Sequence, residues 1–164
     1  MGRLRFLLLS AAAVAVPAQA APEAIGIFGQ WGAFRDASRC YAIAEPPESR
    51  RRDGGRAFAA VGDWPGRNVR GQVHFRFARP KRPGSAVLLR IDDRTFQLIG
   101  GGADGWAPDA AADAAIVTAM RTGVAMSVET RSQGGGLMRD DYALRGAATA
   151  IDAAAIACAS GARH

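Results

Sequence analysis

Along most of this chain apolar side chains recur at every second position, the period of a strand with one face in a core. Val73, Phe75 and Phe77 alternate with His74 and Arg76, and the run stops at Arg79-Pro80, since proline cannot donate to a sheet ladder. The stretch AVLLRIDDRTFQLIG puts a two-residue loop at Asp92-Asp93, which sets Leu89 opposite Phe96 and Val87 opposite Leu98 on one face. Arg90 then faces Thr95, and Leu88 faces Gln97, on the other. A second hairpin follows the same logic: Val124, Met126 and Val128 point inward, Ser132–Gly136 turns, and Tyr142 and Leu144 return. Nearer the start, Trp31–Arg35 and Arg39–Ala44 read as short strands joined at Asp36-Ala37-Ser38. Ala57–Val61 is another strand, and Asp63-Trp64-Pro65-Gly66 has the chemistry of a turn.

Two segments break the alternation. APDAAADAAIVTAMRTG carries Pro108 and Asp109 at its start and Gly123 just past its end, with Ala112, Ile116 and Met120 on one face. GAATAIDAAAIACASG places Ile151, Ala154, Ala155 and Cys158 at helical spacing on one stripe. The expectation is a single mainly antiparallel β domain, a β-sandwich or partly open barrel of roughly seven to nine strands, with helices at about 109–122 and 147–159.

The first twenty residues stand apart. Arg3 and Arg5 lead an apolar run ending at Val16, and Ala18-Gln19-Ala20 is a small-x-small site, so residues 1–20 read as a secretory signal peptide cleaved after Ala20. The run is shorter than the ~18–20 residues that span a bilayer. No cysteine stands at the cleavage point for lipid attachment, and no later segment is apolar enough to span. The mature chain, 21–164, is expected to be one domain in the periplasm or outside the cell.

Export changes how the two cysteines are read. Cys40 lies on a strand and Cys158 on the apolar stripe of a helix, a placement that suits a disulfide and suits an attacking thiolate poorly. Such a bridge closes nearly the whole domain, which loop entropy values at about 4–5 kcal/mol. The formal net charge is +6, falling to +4 without Arg3 and Arg5, and Lys81 is the only lysine. The basic residues gather in ESRRRDGGR (Arg50, Arg51, Arg52, Arg56) and RFARPKRP (Arg79, Lys81, Arg82). Neither cluster is interleaved with aromatics as a nucleic-acid platform would be. With Pro80 and Pro83 holding the second loop extended and its charges outward, the two loops are candidate contacts for an anionic envelope polymer, lipid headgroups or an envelope protein.

No catalytic set emerges. There is no G-x-S-x-G and no HExxH, and His74 and His164 have no partners at metal-ligand spacing. His74 reads as a solvated residue on a polar strand face. Asp92-Asp93 reads as a turn, and Asp140-Asp141 point to opposite faces of a strand. Gly100-Gly101-Gly102 lacks the lysine and hydroxyl of a phosphate loop, so no cofactor is expected. Of the tryptophans, Trp31, Trp64 and Trp106, core anchoring is the default. Trp106, in GGADGWAP, is the candidate for a partly exposed binding residue.

FGQWGAFRDASRCYAIAEPP resembles the opening of the invasion-associated locus B family, exported proteins of alphaproteobacterial type. In that family an early-strand tryptophan is followed by a Cys-Tyr/Phe-Ala-like strand and a proline. VLLRIDDRTFQLIGGG and DYALRGAATAIDAAAIAC look like its later strands and closing helix, so the resemblance covers most of Ile27 to Cys158. It implies a mainly β envelope protein with a link to host-cell invasion, and brings no catalytic residues. The expected function is a non-catalytic binding or structural module. The alternative is a periplasmic hydrolase with a carboxylate-based site.

Overall fold

The computed structural model describes residues 21–47 and 55–161. The chain forms β1 (Glu23–Phe28), β2 (Trp31–Arg35), β3 (Cys40–Ala44), β4 (Phe58–Trp64), β5 (Val69–Arg76), β6 (Val87–Ile91), β7 (Arg94–Gly101) and β8 (Asp104–Trp106). These are followed by α1 (Ala110–Thr122), β9 (Ala125–Arg131), β10 (Leu137–Ala143) and α2 (Ala147–Gly161). The strands make one ten-stranded sheet in the order β1-β2-β3-β4-β5-β8-β7-β6-β9-β10, and every pairing is antiparallel. The sheet curls into a half-barrel. α2 lies across β1–β4, and α1 packs against β5 and α2, so both helices cover the same, inner face.

Alternation decides which side chains point into that core. Ala42 and Ala44 on β3, Ala59 and Val61 on β4, Val73 and Phe75 on β5, and Val87, Leu89 and Ile91 on β6 are all buried. Alanine dominates where α2 crosses, which lets helix and sheet approach closely: Ala147, Ala150 and Ala154 are buried against Ala33, Ala42 and Trp31 in one cluster. The β6–β7 hairpin has the register read from the sequence, Val87↔Leu98, Leu89↔Phe96 and Arg90↔Thr95. Asp92 takes a left-handed φ of 49° at its turn. The helices begin and end close to the expected positions, with the Asp109 carboxylate accepting the Ala112 N–H as N-cap at 2.8 Å.

Some details differ from the alternation pattern. Val124 is 77% exposed rather than inward. The Asp92 carboxylate accepts the backbone N–H groups of Val124 and Ala125, which holds Val124 in the connection before β9 with its side chain outside. Trp64 remains in a strand, and the turn is the 3-10 segment Pro65–Arg67 that follows it. Gly123 is not a left-handed cap, since its φ is −78°. A glycine is needed there for space: a Cβ would stand 2.9 Å from both Ile91 and Leu144. β1 and β8 had no signal, because EAIGIF does not alternate with polar residues and DGW is only three residues long.

The two ends of the sheet are tied together. The Trp31 indole N–H donates to the Ala143 carbonyl at 2.9 Å, joining β2 to the exit of β10. Gly29 and Gly146, with φ of 63° and 97°, let the β1–β2 turn and the start of α2 pass in contact. Cys40, the first residue of β3, is bonded to Cys158 of α2, with Cα atoms 5.7 Å apart. No helix among the described residues is long and apolar enough to cross a membrane.

Candidate functional site

With both helices on the inner face, the outer face of the sheet is left to solvent, and an outer face normally carries polar side chains. Here a band of it is apolar and aromatic. Its axis is β4, whose outward positions are Phe58, Ala60, Gly62 and Trp64: small residues in the middle and an aromatic ring at each end. On one side, β3 sets Tyr41 against Gly62 and Ile43 against Ala60. On the other, β5 sets Gln72 against Gly62 and His74 against Ala60. Small side chains flanked by large ones make a trough of about 390 Å³, floored by Ala60, with Gly62 beneath the Trp64 ring. Phe58 to Trp64 spans about 20 Å at strand rise.

The rings along this trough are held in place. A Cβ on Gly62 would lie 2.7 Å from two atoms of the Trp64 indole, so that ring lies down across the glycine. Gly32 and Phe34 repeat the arrangement on β2, where the clearance is 2.6 Å. Phe34 stacks on Tyr41 with centroids 5.7 Å apart. On the opposite wall His74 stacks on Trp106 at 5.3 Å with planes only 5° apart, and Phe58 meets the His74 ring edge-on at 5.2 Å. The same register carries the apolar band beyond the trough. Ile27↔Gly32↔Ile43↔Ala60↔His74↔Trp106↔Ile99 is one row of directly paired residues, with Ile27 and Ile99 exposed at its ends.

Polar groups at the rim are matched in charge. Arg39 sits 4.6 Å above the Tyr41 ring, and its Nε donates to Asp36 at 2.8 Å. Burial works against the Asp36 charge, but hydrogen bonds from Arg39 and Ser38 outweigh it and bring the pKa down to about 2. The Asp36 carboxylate beside Arg39 therefore stays ionised through mildly acidic conditions. At the other wall Asp104 bonds to His74 Nε2 at 2.9 Å and takes both oxygens to Arg76 Nη1 at 2.9 and 3.0 Å. His74 is thus half-buried and partnered, where the sequence reading had it solvated. The reason is β8, which brings Asp104 and Trp106 alongside β5. The trough lining contains no serine, threonine, cysteine or carboxylate.

The basic loops behave differently from their sequence reading. Arg50, Arg51 and Arg52 lie outside the described residues. Gly55 donates its N–H to the Ala78 carbonyl at 2.9 Å, so the ends of the two loops meet. Arg56 is exposed and paired with Glu45 at 2.7 Å, and Arg79 and Arg82 are exposed. Lys81 corrects the expectation of outward charges. It is buried, pairs with Ser132 as an isolated β-bridge, and donates its ammonium to the Arg82 carbonyl at 3.1 Å. The bridge turns its side chain inward, with the stem lying over Gly100. Of the tryptophans, Trp31 is wholly buried, while Trp64 and Trp106 are half-buried beside the trough.

Sequence reasoning passed over the trough, although FAAVGDW contains it: aromatic, small, small, aromatic at every second position. Turn chemistry at Asp63-Trp64-Pro65-Gly66 ends the strand at Val61 on sequence grounds and separates Trp64 from Phe58.

No family model matches the chain, and no curated protein matches it in sequence. Among solved structures, the chain is similar to the crystal structure of invasion associated protein B from Bartonella henselae, with a TM-score of 0.59. The similarity covers 85% of this chain and 99% of that one at 15% sequence identity, and it is a likeness of fold.

Proposed function

We propose that the chain is an exported envelope protein of the invasion-associated locus B kind and acts as a non-catalytic binding module through the outer face of its sheet. The observation that carries this reading is the aromatic trough on β3, β4, β5 and β8, left uncovered while the helices fill the inner face. Aromatic rings left half-buried at a surface form an apolar patch open to water, and such patches mark contact sites. Export rests on the sequence of residues 1–20, and a part in host interaction rests on the resemblance and on the neighbour's designation. Arg56, Arg79 and Arg82 are proposed as a second, electrostatic contact with anionic envelope polymer or headgroups, since the ends of their loops meet at Gly55 and Ala78.

The hydrolase alternative draws on the His74–Asp104 contact. Asp104 is already committed to Arg76, and no carboxylate, serine, threonine or cysteine lines the trough, which weighs toward binding.

The test is a fractionation followed by retention on isolated cell envelopes. The periplasmic fraction should yield a protein whose N-terminus is Ala21. The purified protein should be retained on envelopes, and Trp64→Ala with Trp106→Ala should reduce that retention severalfold. Substituting Arg56, Arg79 and Arg82 by serine should remove only a salt-sensitive part. Retention indifferent to both tryptophans would refute the role of the outer face.

A further inference from the structure

We propose that the β4 trough is a binding site for a neutral saccharide, a short run of uncharged sugar rings; this rests on reading the outer face as the binding surface. Three observations converge on that class of ligand. The first is the shape of the apolar surface. A pyranose ring presents a flat patch of C–H groups on its face and hydroxyls around its edge, so it pairs with a flat aromatic face and with polar groups at the periphery. Trp64 is pressed flat across Gly62 and fills that end, and the Phe58–His74–Trp106 wall stands beside a floor left open at Ala60. An aliphatic partner surface would need no such ordered rings.

The second is the polar complement. Gln72 and His74 line the trough, and at its far end the Arg39 guanidinium lies over the Tyr41 ring at 4.6 Å and reaches the Trp64 ring at 6.0 Å, so amide, imidazole and guanidinium groups all face the ligand space, with Arg39 partly covering that end. Few, placed polar groups around an apolar floor are what fixes the orientation of a small ligand, and about 390 Å³ lies at the small end of the ~300–1,000 Å³ typical of such sites.

The third is charge. Arg39, which lines the trough, is paired with Asp36, and Arg76, beside the opposite wall, with Asp104. A single-stranded nucleic acid or an acidic glycan also stacks on aromatic rings, but it needs cations to offset its charge, and those here are engaged. The site is therefore matched to rings that bring hydroxyls and no ionised group.

The test uses tryptophan fluorescence and calorimetry with the purified protein and neutral tetrasaccharides of N-acetylglucosamine, glucose and galactose. An oligogalacturonate and an oligothymidylate serve as charged probes. Binding of at least one neutral tetrasaccharide is expected, with an affinity changing less than twofold between 50 and 500 mM salt. Ala60→Gln places a side chain on the floor while leaving the core untouched; it should weaken binding at least tenfold with an unchanged melting temperature. Trp106→Ala should do the same, and Trp106→Phe should retain part of the affinity. Failure of all three neutral sugars, or salt-sensitive binding of only the charged probes, would overturn the saccharide proposal. Envelope retention that still depends on Trp64 and Trp106 would in that case leave the binding face standing with a different ligand. Saccharide binding unaffected by Ala60→Gln would place the sugar elsewhere and overturn the assignment to the trough.

Discussion

The Tyr142 hydroxyl is buried and has no hydrogen-bond partner among the described residues. Burial is the main force raising its pKa, and the charges of Asp140 and Glu45 add to it, so the phenol stays protonated. The ring itself is well used, packing edge-on to Phe75 at 6.3 Å. Removing only the oxygen should therefore relieve an unsatisfied group without opening the core. Tyr142→Phe is expected to stabilise the protein by about 1 kcal/mol. Urea unfolding should show a higher midpoint at unchanged slope; a lower midpoint would mean that the hydroxyl is bonded in solution. Lys81 poses the related question of why sequence failed there. In RFARPKRP it is one cation among several, and nothing local separates it from Arg79 and Arg82. Its burial comes from pairing with Ser132, half a hundred residues away, and no window of sequence around Lys81 carries that information.

At the scale of elements, the contact between the β1–β2 turn and the start of α2 is the tightest join in the fold. A Cβ on Gly146 would stand 1.8 Å from the Phe28 carbonyl oxygen, and its φ is 97°. Gly84 also has a left-handed φ, 73°, but a Cβ there would meet nothing within 4 Å. Gly84→Ala should then cost about 1–2 kcal/mol for backbone strain alone. Gly146→Ala should cost clearly more, about 3 kcal/mol or above, because the turn and the helix must separate. Equal melting temperatures for the two variants would show that the join is looser than described. Elements like these divide sharply by how much the sequence says about them. The β6–β7 hairpin was legible to the residue, since a two-residue loop and strict alternation fix register together. α1 was legible from its Asp109 cap and its apolar stripe, and α2 from its stripe alone. β8 was not: a three-residue strand has no period to detect, and it exists because β5 and β7 hold it between them. The candidate site depends on that strand for Asp104 and Trp106, so half of one wall was invisible while β3 and β4 lay in plain view.

For the molecule as a whole, the Cys40–Cys158 bridge joins residues 118 apart in sequence and fastens α2 to the sheet it covers. Constraint on so long a loop acts mainly on the unfolded chain, so reduction should lower the melting temperature by on the order of 10 °C. Differential scanning calorimetry with and without reductant measures this directly, and a shift below about 2 °C would leave the bridge without a stabilising role. α2 packs on β1–β4, so the stability of the first strands and of the last helix should be lost together in a single transition.

The bridge has a further consequence for a chain cut between Ala44 and Phe58, a stretch that includes the sequence Arg50-Arg51-Arg52. A cut there divides the polypeptide between β3 and β4, with β1–β3 in one piece and every later element in the other. The pieces remain one covalent molecule, because Cys40 is in the first and Cys158 in the second. The trough is divided in the same way: Tyr41 and Ile43 belong to the short piece, and Ala60, His74 and Trp106 to the long one. A clipped protein would keep both walls facing each other as long as its surroundings are oxidising. In a reducing compartment the same clip would leave only non-covalent pairing between β3 and β4 to hold the two halves of the site together.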